Sequence, residues 1–333
     1  MKLNLKIFFA TLFLCLPLIA KADFTDGVAA YKNNDFEKAI GIFEDLANQD
    51  DARAQFALGL MYDNGNGVVA DKQKALRWYL AGAESGNKKS QYNLAVLYQN
   101  GEGTDVDESK AAQWYSKAAF GGNKDAVNRL HTMAEENIPA AQFHVGNLYR
   151  MGKGLPKNAK HAFNWYEKAA RSKFVRAQYN LGISYATGQG VAKNLGFAQD
   201  WYEKAARAGN AKAQYNLARM LLEKNTSSSI DSAHSWMQKA AEQNNLKAQI
   251  SLAQLNEEGD IIPQNLTSAL KWYLRAAESG DREAQNYVGY LYSEGIGTDK
   301  NEEKALTWFS KAAEQGSVEA EGNKKLLATF NSQ

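Results

Sequence analysis

Ala177-Gln178-Tyr179-Asn180-Leu181-Gly182, followed by Tyr185, Gly188 and Gly190 and completed by Trp201-Tyr202-Glu203-Lys204-Ala205-Ala206 and Gly209, is the stretch that settles the fold. Its parts recur along the chain. An Ala-Gln or Ser-Gln pair ends at Gln55, Gln91, Gln142, Gln178, Gln214, Gln249 and Gln285, at spacings of 36, 51, 36, 36, 35 and 36. Tryptophan keeps step at Trp78, Trp114, Trp165, Trp201, Trp236, Trp272 and Trp308, which are all seven tryptophans of the 333 residues. Two markers with one period define a repeat protein. Within a unit, Ala177, Leu181 and Tyr185 lie four apart and share a helix face that is expected to be buried. Gly182 lets a second helix approach, and Gly188 can take the left-handed conformation that ends a helix. In the second helix Trp201 and Tyr202 are expected to fill space, while Ala205-Ala206 permits close crossing. A helical hairpin this small cannot bury its apolar faces alone. Neighbours must stack, which predicts an all-α, right-handed α-solenoid of helix-turn-helix units with a concave groove.

Working outward, the first residues read as a separate segment. Met1, Lys2 and Lys6 precede an apolar run from Ile7 to Ile19 and then Ala20-Lys21-Ala22. The run is short for a membrane span and the small residues suit a signal peptidase, so residues 1–22 are expected to be a signal peptide cleaved after Ala22. Cys15, the single cysteine, lies inside the run after Leu14, where a lipid-modification signal requires a small residue, so no lipid anchor is expected. Removing the segment takes away Lys2, Lys6 and Lys21 and no acid, which moves the formal charge from +2 to −1. A nearly neutral chain argues against nucleic acid as a partner, because phosphate neutralisation dominates that affinity. The location expected is periplasmic or secreted, with no stable membrane insertion after cleavage. A cysteine-free mature chain meets an oxidising compartment without risk of wrong disulfides.

The units Ala-x-Ala-Gln-Tyr-Asn-Leu-Gly, Gly-x-Gly and Trp-Tyr-x-Lys-Ala-Ala resemble Sel1-like repeats, relatives of the tetratricopeptide repeats, over roughly Asp51 to Ser317. The expected order is signal peptide 1–22, a short tetratricopeptide-like hairpin 23–50, repeats one and two over 51–123, an extra helix 124–138, repeats three to seven over 139–317, and a capping helix 318–333. The extra helix accounts for the spacing of 51: Ala126, Leu130 and Ala134 recur at helical spacing, and a bend or seam near Pro139 is expected. Repeat five replaces the glycine turn with Glu223-Lys224-Asn225-Thr226-Ser227-Ser228-Ser229, and repeat six has Ile261 where the second glycine belongs. Two adjacent irregular loops are a candidate partner site, weighed against neutral drift of surface loops.

Catalytic chemistry finds little support. The glycine pairs, such as Gly188 and Gly190, follow helices rather than strands, so they read as structural turns and not as a dinucleotide fingerprint. Strict repetition beside Ala-Ala assigns the tryptophans to packing rather than to a sugar platform. The histidines, His131, His144, His161 and His234, form no pair at ligand spacing, and no serine sits in a recognisable nucleophile elbow. No enzyme, cofactor or metal is expected. Cysteine-rich relatives linked to β-lactam binding carry paired cysteines that are absent here.

What remains is the groove. If Ala177, Leu181 and Tyr185 face inward, the opposite stripe holds Arg176, Asn180 and Ile183. Its first position reads Arg53, Lys89, Arg176, Lys212 and Lys247, interrupted by Ala140 and ending at Glu283. Its next position reads Asn93, His144, Asn180, Asn216 and Ser251. The tetratricopeptide resemblance implies that this stripe lines the concave face and clamps an acidic peptide segment or a C-terminal carboxylate; the plainer reading is a solvated face. The function expected is a non-enzymatic interaction scaffold of the bacterial envelope or secreted fraction, with a role in host interaction. The alternative is a regulator that binds a peptidoglycan-processing enzyme. A lesser alternative is a luminal adaptor of a eukaryotic secretory pathway, prompted by the glycosylation-like Asn225-Thr226-Ser227 and Asn265-Leu266-Thr267.

Overall fold

A computed structural model describes residues 22–330, so the expected signal peptide lies almost wholly outside the described residues. Among these residues there are eighteen α-helices and no strand. The chain divides into two compact units, residues 1–118 and 119–333. Unit 1 carries α1 (Phe24–Lys32), α2 (Phe36–Ala47), α3 (Ala52–Asn64), α4 (Lys72–Glu84), α5 (Lys88–Asn100) and most of α6 (Glu108–Phe120). Unit 2 carries α7 (Lys124–Glu135), α8 (Pro139–Met151), α9 (Ala159–Arg171), α10 (Val175–Thr187), α11 (Leu195–Arg207) and α12 (Ala211–Leu222). It continues with α13 (Ser227–Glu242), α14 (Leu246–Glu258), α15 (Leu266–Glu278), α16 (Arg282–Glu294), α17 (Glu302–Glu314) and α18 (Val318–Phe330). Each unit is an α-solenoid in which a helix packs chiefly on its predecessor and its successor.

Local chemistry places the helix ends. Asp or Asn begins most helices and accepts from backbone N–H groups of the first turn, as Asn194 does from Phe197 at 3.0 Å and Asn210 from Ala213 at 2.9 Å. The first helices α3, α5, α8, α10, α14 and α16 end on a left-handed glycine at Gly65, Gly101, Gly152, Gly188, Gly259 and Gly295. The second glycine of the pair acts differently. A Cβ on Gly190 would stand 2.1 Å from the carbonyl oxygen of Ala159, and Gly103 and Gly297 meet the backbone of Lys72 and Leu266 in the same way. In these three repeats that glycine seats the loop directly on the start of the preceding second helix.

The Ala-Gln marker is a staple between successive hairpins. All seven glutamines donate Nε2 to the carbonyl eight residues earlier, near the end of the preceding helix, at 3.0 to 3.4 Å. All are buried or nearly so, and each bond supplies a helix-end carbonyl with a partner. Gln142 makes this bond to Ala134 of α7. The extra helix therefore ends as a second helix does and hands on to α8 without a break. The division between units falls at Ala118, not at the seam expected near Pro139.

Two further expectations change. Tyr202 is buried, with Tyr79, Tyr115 and Tyr166 at the same position among the largest fully buried side chains, but Trp201 beside it is only half-buried. The indole presents a face on which Lys204 rests 3.9 Å from the ring centroid, and Trp165, Trp236 and Trp308 carry Lys168, Lys239 and Lys311 in the same manner. The motif Trp-x-x-Lys sets the ammonium one turn above the ring, a cation–π pair. In repeat five the supposed loop is partly helix, since its last three residues, Ser227 to Ser229, open α13. Thr226 and Ser229 form a capping box, and α13 runs for 16 residues where the other second helices run for 13, which takes up the missing turn. Among the described residues no helix is long and apolar enough to cross a membrane.

Candidate partner-binding face

The predicted stripe is borne on first helices: Arg53 on α3, Lys89 and Asn93 on α5, His144 on α8, Arg176 and Asn180 on α10, Lys212 and Asn216 on α12, and Lys247 on α14. The first three belong to unit 1 and the other six to unit 2. In unit 1 the cations are engaged within the protein. Arg53 pairs with the N-cap carboxylate of Asp51 at 2.6 Å and lies 4.7 Å from the Phe24 ring centroid. That hydrogen bonding holds the Asp51 carboxyl below the usual carboxylate range. Lys89 reaches over Phe56 at 5.7 Å.

Core tyrosines beside the predicted asparagines find partners for their hydroxyls within the protein. Tyr79 donates to Asp63 at 3.1 Å and Tyr166 to Asn147 at 2.8 Å, while Asn93, Asn180 and Asn216 lie near the hydroxyls of Tyr79, of Tyr166 and of the pair Tyr179 and Tyr202. The physical reason is that a tyrosine long enough to fill the gap between helices carries its hydroxyl to the edge of the core, where it needs a partner. Burial, the largest cause, raises all four hydroxyls, Tyr202 to about 12. His144 is half-buried, and burial, aided by the charge of Arg176, lowers its pKa to about 4. It stands in the stripe as a neutral imidazole. Ile183, placed on the same stripe by helical arithmetic, is partly buried against the cluster around Ala198 and Tyr202.

Lys212, Asn216 and Lys247 do come together. They line an open cavity of about 560 Å³ with Arg219, Tyr179 and Tyr215, and no carboxylate belongs to the lining. Lys212 and Lys247 are exposed, each in the first turn of its helix. Arg219 faces the Tyr215 ring at 5.9 Å. Sequence reasoning stopped one turn short of Arg219, although Lys212, Asn216 and Arg219 follow one helix face at steps of four and three residues. Arg176 is exposed and is not part of this lining.

Farther along unit 2 the sign reverses. A cavity of about 440 Å³ is lined by Glu257, Glu258, Glu283 and Glu319 together with Tyr273 and Tyr287. Glu257 accepts from the hydroxyl of Tyr273 at 2.9 Å and from that of Tyr287. Burial first, then the bond to this carboxylate, raises both phenols above their ordinary range. Glu283 is already paired with Arg282 at 2.8 Å. Among the described residues no group of three or more His, Cys, Asp or Glu is placed to hold a metal ion.

With this geometry in place, comparison adds the family. The Sel1 repeat profile matches residues 52–87, 88–123, 139–174, 175–210, 211–245, 246–281 and 282–317. A Sel1 repeat protein from Oxalobacter formigenes is 29% identical, with a TM-score of 0.55 over 91% of this chain and 86% of that one. A protective antigen present in uropathogenic Escherichia coli strains, displaying an SLR fold, is 28% identical, with a TM-score of 0.53 over 92% of this chain and 72% of that one. No curated protein matches the chain.

Proposed function

The chain belongs to the Sel1 repeat family, and from that premise we propose that it is an exported, non-enzymatic scaffold that holds a protein partner through an acidic segment or C-terminal carboxylate. Repeats of this kind build interaction scaffolds, and their binding faces come from exposed positions that the packing of the hairpins leaves free. The observation that carries the reading is the convergence of Lys212, Arg219 and Lys247 on one cavity whose lining has no acid to neutralise them. Each can give a charge-assisted hydrogen bond to a carboxylate, and Arg219 can give two in parallel. Asn216 lines the same cavity, and the three cations are its charged recognising groups. Export rests on the apolar run from Ile7 to Ile19, and the likeness to an E. coli protective antigen supports an exposed, host-facing role.

The test is fluorescence anisotropy with a labelled acidic peptide bearing a free C-terminus, beside its amidated form, against the protein and a Lys212→Glu/Lys247→Glu variant whose helicity is checked by circular dichroism. Reversal of two charges is expected to weaken binding at least about tenfold, a loss near 1.4 kcal/mol, and added salt should weaken binding to the unaltered protein. Equal affinity in the folded variant sinks the proposal. An affinity pulldown with the same pair then identifies the natural partner.

A further inference from the structure

A second cavity, of about 680 Å³, opens where the C-terminal ends of α9 and α11 approach α10. Arg171, Lys173, Lys204 and Arg207 line it with Trp201 and Gln178, and its lining contains no carboxylate. Three of the four cations depart from the repeat. The last residue of α4, α7, α13, α15 and α17 is a glutamate, at Glu84, Glu135, Glu242, Glu278 and Glu314, and only α9 and α11 end on arginine. The third departure is Lys173. The left-handed residue of this turn is Gly86, Gly122, Asn137, Gly209, Asn244, Gly280 or Gly316 elsewhere, whereas Lys173 adopts φ +60. Among the described residues with positive φ, it is the only one that is not glycine, asparagine or aspartate.

That choice is costly. A left-handed conformation at a residue with a long side chain disfavours the fold by about 1 kcal/mol relative to glycine, and strain of this kind gathers at functional sites. Complementarity with the helix dipole accounts for arginine at the ends of α9 and α11 and gives no reason for Lys173. Arg171 and Arg207 are paired with Glu167 at 2.9 Å and Glu203 at 2.5 Å, one turn back on the same helices. Those pairs use part of each guanidinium's five donors and leave the rest for a ligand.

We propose that this cavity binds a small ligand carrying phosphate or sulfate groups. Four cations in one cavity call for a high density of negative charge. A phosphoryl or sulfate group concentrates up to two charges and three acceptor oxygens where a peptide offers one carboxylate per side chain. The volume falls within the range of small-molecule sites, about 300–1,000 Å³, and the indole edge of Trp201 supplies apolar wall for a sugar-sized body.

Isothermal titration calorimetry of the full chain with inorganic pyrophosphate and with a heparin-derived hexasaccharide tests this and separates the two sources. Lys173→Gly restores the residue most other turns carry, so it should melt at or above the unaltered protein, which removes misfolding as an explanation. The Lys173→Gly/Arg207→Gln variant should bind whichever probe is accepted at least about tenfold more weakly. Lys271→Glu, an exposed charge reversal on α15 outside both cavities, should leave that affinity unchanged. Unaltered binding in the double variant, an equal loss in Lys271→Glu, equally tight binding of a polyglutamate peptide, or binding of neither probe would each overturn the assignment.

Discussion

Alanine at Gly190 should cost far more than alanine at Gly188, although the two share one loop and nearly one backbone conformation, φ +78 and +75. A Cβ at Gly188 meets nothing nearer than 3.6 Å. The cost there is that of a left-handed alanine, about 1 kcal/mol, less a few tenths recovered because alanine restricts the unfolded chain. A Cβ at Gly190 falls 2.1 Å from the Ala159 oxygen and 2.5 Å from its carbonyl carbon. Both obstacles are backbone at the start of α9, so no side-chain rotation relieves them. The loop must move away by about 1 Å, and overpacking of that kind adds about 1–3 kcal/mol. Gly190→Ala should therefore cost about 2–4 kcal/mol in total against about 1 for Gly188→Ala. Urea titrations followed by circular dichroism and by tryptophan fluorescence measure the difference, and coincidence of the two probes shows whether one transition suffices. Hydrogen exchange should place the weakening at α9 and the Gly190 loop. Equal shifts in midpoint for the two variants would refute the claim that the second glycine seats the loop on its neighbour.

Other expectations follow from the same structure. Asn147→Ala should lower stability by about 1–2 kcal/mol by removing the acceptor of the buried Tyr166 hydroxyl, whereas Lys212→Ala should stay within about 0.5 kcal/mol, as exposed positions do; chemical denaturation compares them. His144, with a folded pKa of about 4 against 6.5 for the free side chain, binds fewer protons in the folded state between those values. Its contribution to stability is thus complete above pH 6.5 and is lost as pH falls toward 4. Proton NMR titration should show Arg176→Gln raising that pKa only partway, because burial is the larger cause. Tyr202 titrates the other way: its pKa of about 12 contributes stability below pH 10 that is lost as pH climbs toward 12, visible as phenolate absorbance appearing late in an alkaline titration.

How much was legible is best seen at single residues. The period of Gln55 to Gln285 and Trp78 to Trp308 fixed the repeat and, with Asp or Asn before each helix and glycine after it, the helix order, since those signals are local and written several times over. The same arithmetic put Arg176, Asn180 and Lys212 on one stripe, but it did not reveal that Lys212 and Lys247 line a cavity that leaves Arg176 out, nor that Arg53 is neutralised by its own N-cap. It marked the Ala-Gln pair without its purpose, the staple to a carbonyl eight residues back. It took Glu223 to Ser229 for a loop where a capping box starts α13 early. The charge pattern was hidden for the same reason. Which cations share a cavity, Lys212 with Arg219 and Lys247 or Arg171 with Lys173 and Arg207, and where glutamates replace them around Glu257, depends on how one helix lies against the next. A chain read one residue at a time shows what each helix offers, and only stacking decides which of those groups face each other.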